Sequence, residues 1–238
     1  MKKLFLVVLA IIAVVCLAAC GEKKEPEKVS GETVVSGEVS NIPEAISSTS
    51  AEKYQAVIDD YKAAAAEFDL DDIDGEEKIT AKYGYVNPSL IMHYARYKDT
   101  GIDFTFGYYD IDNNGVDELI VGLGGAAGAI YTYDEVNKIA VKVFFQDTLE
   151  RGSLNGYDNG ILCSSGAGGA ALHYYEFGKM TADGLGYESL EKIEEEYVEG
   201  KDTPVYRNAE SGDTLSYTSI DEIYNKYVGE AKLISLFQ

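Results

Sequence analysis

The stretch at positions 110–119, with the sequence DIDNNGVDEL, carries oxygen-bearing side chains at alternating positions. Hard cations such as Ca²⁺ take about six to eight oxygen ligands, and side chains at alternate positions of a tight loop converge on one point. A glycine at the sixth position, Gly115, permits the sharp turn that such a loop needs. The predicted ligands are the side chains of Asp110, Asp112, Asn114 and Glu118 and the backbone carbonyl of Val116. The stretch is therefore a candidate calcium site.

The same stretch can also be interpreted as a polar hairpin turn that holds no metal. Asn-Gly is a strong turn signal, and Asp and Asn side chains can cap the backbone of their own turn. Three carboxylates this close together would repel one another in an empty loop, and this repulsion favours calcium over the bare turn. Asp117 faces away from the common centre, and we predict that it is solvated rather than a ligand.

The loop resembles the DxDxDG calcium loops shared by EF-hands, dockerins and integrin-type propeller repeats. It departs from the EF-hand because Val121 stands where the bidentate glutamate would be, and because its flanks look like strands. The closer resemblance is to strand-loop-strand calcium loops, which implies that Glu118 at the ninth position completes the ligand shell. Residues 109–120 also resemble a group of bacterial surface lipoproteins of generally unassigned function, and this resemblance implies no activity.

The N-terminus carries the features of an export signal. A short basic start precedes an unbroken apolar run over residues 4–19, which as a helix rises about 24 Å and is too short for a hydrocarbon core of about 30 Å. The sequence LAAC, which ends at Cys20 and is followed by Gly21, resembles the bacterial lipobox. That resemblance implies acylation of Cys20, cleavage before it, and retention on the outer face of the bacterial cell membrane. An ordinary secretory signal is the alternative.

Composition divides the chain into three parts. We predict a signal peptide over residues 1–19, the acylated cysteine and a flexible linker over 20–50, and a single folded domain over 51–238. The linker is rich in Glu, Lys, Ser, Gly and Val and has no aromatic residue. Because Cys16 leaves with the signal peptide and Cys20 is acylated, only Cys163 remains, and the domain can form no internal disulfide.

The overall composition excludes two classes of protein. With 46% hydrophobic and 26% charged residues, a wholly disordered chain is excluded. The formal net charge is −21, from 41 acidic and 20 basic residues. Since contacts to phosphate need Lys or Arg, this charge argues against nucleic acid as a partner, and it is compatible with binding a cation.

Hydrophobic periodicity predicts an α+β fold, in which an antiparallel β-meander is flanked by N- and C-terminal helices. Capping signals predict helix starts at Thr49, at Asn87 and at Ser219. Between them, strand-like runs cover residues 104–108, 119–121, 129–133, 138–145, 160–164 and 171–177. Residues 187–199 fit either a helix or a strand, and the acidic stretch 69–77 is predicted to be a solvated loop.

The residues that could support catalysis are few. Cys163 or Ser164 could be a nucleophile with His173 as its base, but no GxSxG elbow is present and Cys163 ends an apolar strand. The two histidines are well separated, which argues against a zinc enzyme. We therefore expect a non-enzymatic binding or interaction module with a protein, peptide or glycan partner. A hydrolase using these residues and a solute-binding lipoprotein are the alternatives, although the chain is short for two lobes.

Overall fold

The structure is a computed structural model that describes residues 48–147 and 151–237. The predicted signal peptide, the predicted acylation site Cys20 and nearly all of the predicted linker lie outside the described residues. None of the helices within the described ranges is long and apolar enough to cross a membrane.

The described secondary structure consists of four α-helices and two antiparallel sheets. The helices are α1 (Ser48–Glu67), α2 (Gly75–Lys82), α3 (Pro88–Tyr97) and α4 (Ile220–Tyr227). The first sheet contains β1 (Phe104–Tyr109), β2 (Glu118–Leu123), β3 (Ala126–Asp134) and β4 (Ile139–Phe145). The second contains β5 (Ser153–Tyr157), β6 (Ile161–Gly169), β7 (Leu172–Met180), β8 (Tyr187–Glu196), β9 (Val205–Asn208) and β10 (Leu233–Ile234).

Both sheets are meanders, which confirms the predicted fold class. The first has the order β1-β2-β3-β4, and the second has the order β10-β5-β6-β7-β8-β9. Every pair of neighbouring strands runs antiparallel. The meander is therefore divided in two, with the last strand added to the edge of the second sheet next to β5.

Alternation of side chains along the strands builds three hydrophobic clusters and sets the order of the layers. Leu119 and Val121 face α1–α3, whereas Ile120 between them faces the second sheet. On the outer side of the second sheet, Phe177 packs with Ile223 of α4. The domain thus stacks helices, first sheet, second sheet and one helix, and the cores on both sides of each sheet are filled.

Two of the three helix starts lie where the capping signals place them. Asn87 accepts a hydrogen bond from the Ser89 amide at 2.9 Å, and Pro88 begins α3. Ser219 accepts from the Glu222 amide at 3.4 Å in front of α4. Helix α1 begins at Ser48, one residue before the predicted cap Thr49, and Ser50 in its first turn contacts Asp117.

The structure settles two further segments of the predicted secondary structure. The ambiguous segment is a strand over Tyr187–Glu196, since it is paired with β7 on one side and with β9 on the other. The prediction of a loop as far as residue 77 is wrong, because α2 begins at Gly75 and buries Ile79. Asp69, Asp71 and Asp74 before it are exposed, as expected.

Candidate metal centre

The acidic stretch forms the connection between β1 and β2, at one end of the first sheet. Tyr109 and Glu118 are the last residue pair of this antiparallel ladder, so the loop between them closes directly on the sheet. Glu118 is thereby fixed as the first residue of β2, and its side chain lies on the same face as Ile120, toward the second sheet.

Three of the predicted ligands converge at this point. One carboxylate oxygen from each of Asp110, Asp112 and Glu118 lies within 4.8 Å of the others. Ligand oxygens on opposite sides of one calcium ion would be up to about 5 Å apart, given metal–oxygen distances of about 2.3–2.6 Å. The three side chains could therefore hold a metal ion without a rearrangement of the loop or of β2.

Glu118 is the most unusual member of the cluster, because its side chain is fully buried, with 0% of its surface exposed. One carboxylate oxygen accepts a hydrogen bond from the Ile111 amide at 2.8 Å, and the other accepts from the Thr132 hydroxyl at 3.2 Å. Burial and the nearby charges of Asp112 and Asp110 raise the pKa of Glu118 to about 8, although the two hydrogen bonds lower it. A cation bound here would offset both of the effects that oppose ionisation.

The backbone of the loop folds around the other two carboxylates. Asp110 accepts hydrogen bonds from the amides of Asn114 at 3.0 Å and Gly115 at 2.9 Å, and Asp112 accepts from the Asn114 amide at 3.1 Å. Gly115 has a φ of +87°, which is the conformation that favours glycine. Burial, together with the charge of Asp110, raises the pKa of Asp112. The geometry of this loop is therefore compatible both with a turn that holds no metal and with a metal site.

The remaining two predicted ligands lie in the same loop, and their role stays a prediction. The Asn114 side chain donates to Asp112 at 3.0 Å through its amide nitrogen, and its oxygen accepts from the Val116 amide at 2.7 Å. An amide oxygen has two lone pairs, so this bond leaves one available for a cation. Val116 is half-buried between Gly115 and β2.

The prediction for Asp117 is wrong in one respect. It lies outside the acidic cluster, but it is not simply solvated. Its carboxylate accepts a hydrogen bond from the Ser50 hydroxyl at 2.8 Å, and its carbonyl accepts from the Tyr54 hydroxyl at 2.7 Å. Both donors belong to α1, which is remote in sequence. Asp117 thus connects the loop to the helical layer.

The second sheet also contacts the loop, and nothing in the sequence indicated this. Gly184 lies in the turn between β7 and β8 with a φ of +69°. A Cβ at this position would lie 2.5 Å from the Asn114 side-chain nitrogen and 3.2 Å from an Asp112 carboxylate oxygen. Ile111, with 1% of its surface exposed, packs in the core between the sheets. The acidic loop therefore contacts three parts of the domain, namely the first sheet, the second sheet and α1.

The candidate catalytic residues are on neighbouring strands but are not brought together. In the ladder between β6 and β7, Cys163 lies opposite Phe177, whereas His173 lies opposite Ala167. Four residues along a strand separate Phe177 from His173, which corresponds to about 13 Å. Cys163 is fully buried, and burial raises the pKa of its thiol to about 11. At neutral pH it is therefore a protonated core side chain.

Ser164 and His173 each have a different partner. The Ser164 hydroxyl donates to the side-chain carbonyl of Gln146 at 2.5 Å. His173 pairs through Nδ1 with Glu195 at 2.9 Å, and Glu195 also accepts hydrogen bonds from Tyr175 and Tyr206. These separate partners do not form a pair of nucleophile and base.

The fold and the loop together define an α+β domain of two packed antiparallel sheets with an acidic hairpin loop at their junction. No protein-family model and no curated protein matches this chain. Among solved structures, the chain is similar to a Xanthomonas type IV secretion system related protein, with 15% sequence identity and a TM-score of 0.35. The match covers 47% of this chain and 57% of that one, so the chain spans little more than half of its length.

Proposed function

We propose that this protein is an exported, lipid-anchored surface domain whose β1–β2 loop binds calcium, and that it acts as a non-enzymatic binding or interaction module. The observation that carries the calcium proposal is the convergence of the buried Glu118 carboxylate with Asp110 and Asp112. The lipobox-like sequence at Cys20 supports export and anchoring.

The donor set favours calcium over other divalent cations. All three converging side chains are carboxylates, which suit hard cations, and the cluster contains no histidine or cysteine. The Asn114 amide oxygen and the Val116 carbonyl would supply further oxygen ligands at the spacing of a calcium loop. Magnesium usually keeps several waters and binds through one or two carboxylates, so a site with three protein carboxylates suits calcium better.

Calcium at this position would stabilise the domain as a whole rather than perform a reaction. The loop contacts α1 through Asp117 and the second sheet through Gly184. A cation that neutralises the carboxylates would hold these three layers together at one point. Because the candidate nucleophiles and His173 have separate partners, we assign the domain a binding role at the cell surface.

Thermal unfolding of the purified protein tests the calcium proposal. We expect millimolar calcium to raise the melting temperature above that in chelator, magnesium to raise it less, and Asp110→Ala or Asp112→Ala to remove most of the response. Asp117→Asn is the matched control, because it changes an adjacent carboxylate outside the cluster. Superimposed melting curves, together with no heat of binding in calorimetry at millimolar calcium, would reject the site.

Fractionation of cells tests the anchoring proposal. Cys20→Ala removes the thiol that would carry the lipid, so we expect the protein to be unprocessed or released from the membrane. Cys163→Ala is the control, since that thiol lies in the folded core. If Cys20→Ala stays membrane-bound and is processed normally, the protein is not a lipoprotein.

A further inference from the structure

A cavity of about 250 Å³ lies between the end of β4 and the side of β6, β7 and β8 that faces the first sheet. It is lined by Gln146 after β4, by Ser164 of β6, by Tyr174 and Glu176 of β7, and by Lys192 of β8. None of these residues belongs to the acidic loop. The cavity is therefore a second candidate site that is separate from the metal centre.

Tyr174 forms a firmly placed aromatic wall of this cavity. It lies opposite Gly166 in the ladder between β6 and β7. A Cβ at Gly168 would lie 2.9 Å from the Tyr174 ring and 3.1 Å from its hydroxyl, so the glycine leaves room for the ring to lie against β6. With 39% of its surface exposed, the side chain stays accessible to a ligand. Tyrosine offers a large amphipathic contact surface at a low entropic cost.

The opposite parts of the wall supply both hydrogen-bond donors and acceptors. The Glu176 carboxylate lies 4.0 Å from the Lys192 ammonium group, which also pairs with Glu210 at 3.2 Å. Gln146 is held in place, because it accepts from Ser164 at 2.5 Å and donates to the Ser165 carbonyl at 3.2 Å. Lys192 is shared between Glu176 and Glu210, and the Asp147 carboxylate also lines the cavity, so the wall presents one ammonium donor among several carboxylate acceptors.

We propose that this cavity binds a neutral, hydroxyl-rich ligand, namely one saccharide unit. The apolar C–H face of a sugar ring stacks on an aromatic face such as that of Tyr174, and its hydroxyl groups both donate and accept hydrogen bonds. Glu176 accepts from them and Lys192 donates to them. The net charge of −21 and the carboxylates of the wall disfavour an anionic ligand, and the Lys192 ammonium group beside Glu176 disfavours a cation.

The size of the cavity sets the size of the bound portion. Pockets for drug-sized ligands measure about 300–1,000 Å³, so a cavity of about 250 Å³ takes a single ring rather than several. The ligand is therefore a free monosaccharide or the terminal unit of a longer glycan. This proposal goes beyond the calcium proposal and does not depend on it, because the two sites share no residue.

Ligand-observed NMR and calorimetry on the purified full-length protein test the proposal. The probes are glucose, galactose, mannose and N-acetylglucosamine, each compared with a trisaccharide that ends in the same unit. We expect at least one monosaccharide to bind, and its affinity to fall about tenfold or more in Glu176→Gln and in Tyr174→Leu. A tighter trisaccharide identifies a glycan chain as the source, and equal affinities identify the free sugar.

Two variants outside the cavity serve as controls. Glu188→Gln changes another carboxylate on the second sheet, and Tyr197→Ala removes an exposed ring that packs against His173. Both should bind like the unchanged protein, and melting curves should show that Glu176→Gln is folded. The proposal is overturned if no saccharide binds at tens of millimolar, or if the cavity variants and the controls are affected equally. Binding of amino acids or carboxylic acids in place of sugars would overturn it as well.

Discussion

Replacement of Glu118 by glutamine tests two properties of the buried carboxylate separately, namely the stability that its burial costs the metal-free domain and its role as a metal ligand. Glutamine has nearly the same shape as glutamate, so Glu118→Gln leaves the packing of β2 unchanged. The amide oxygen can still accept from the Ile111 backbone, which Glu118 does at 2.8 Å. What the substitution removes is a carboxyl group whose pKa is raised to about 8 by burial and by Asp112 and Asp110.

The size of the effect follows from proton linkage. The ordinary pKa of glutamate is 4.5, and the pKa of Glu118 in the metal-free native state is about 8. Between these two pH values the native state keeps a proton that the unfolded state releases. The free energy of unfolding of the metal-free protein therefore falls as the pH rises from 4.5 to 8. At pH 7 the cost is about 3 kcal/mol, because 7 lies about 2.5 pH units above 4.5 and each unit is worth about 1.4 kcal/mol. Glu118→Gln relieves as much as this amount in chelator, which corresponds to a rise of about 6–12 °C in melting temperature.

Calcium should cancel most of this advantage. A hundredfold excess of calcium over its Kd stabilises the unchanged protein by about 2.7 kcal/mol, whereas the variant lacks the charged ligand and gains little. The two melting temperatures, measured by calorimetry at pH 7, should therefore differ in chelator and converge in saturating calcium. Asp117→Asn is the control and should keep the full calcium response. A variant that is less stable than the unchanged protein in chelator, or equally responsive to calcium, would refute the reasoning.

Three further predictions concern the loop and the core. Because calcium must displace the Glu118 proton, its affinity should fall by about tenfold per pH unit from 8 to 6 in calorimetric titrations, and a constant affinity would contradict this. Burial raises the pKa of Cys163 to about 11, so a thiol reagent should modify it far more slowly in the native protein than in urea. Mass spectrometry measures the two rates, and rapid labelling of the native protein would show that the thiol is accessible. Gly184→Ala should cost about 1–3 kcal/mol and weaken the calcium response, since its Cβ would lie 2.5 Å from the Asn114 amide nitrogen. Gly200→Ala is the control, because it has a similar φ of +81° and no atom within 4 Å, so equal effects would argue against packing at the loop.

Features that depend on a few neighbouring residues could be predicted from the sequence. The caps at Asn87 and Ser219, the alternation in β1 and β2, and the position of the acidic loop between two strands all follow from local spacing. The fold class follows from the order of these elements, and the structure confirms it. The convergence of Asp110 and Asp112 is of the same kind, because two residues in one tight turn cannot lie far apart.

Features that depend on packing between distant segments could not be predicted in this way. Helix α2 is not apparent from the sequence, because its short acidic segment becomes helical by burying Ile79. The carboxylate of Asp117 finds its partner, Ser50, on α1, and the Gly184 turn reaches the loop only because the two sheets pack face to face. Local spacing was enough to name the side chains that could be metal ligands. The burial of Glu118 among them required the folded domain, because burial and the resulting pKa depend on which distant strands exclude water from that side chain.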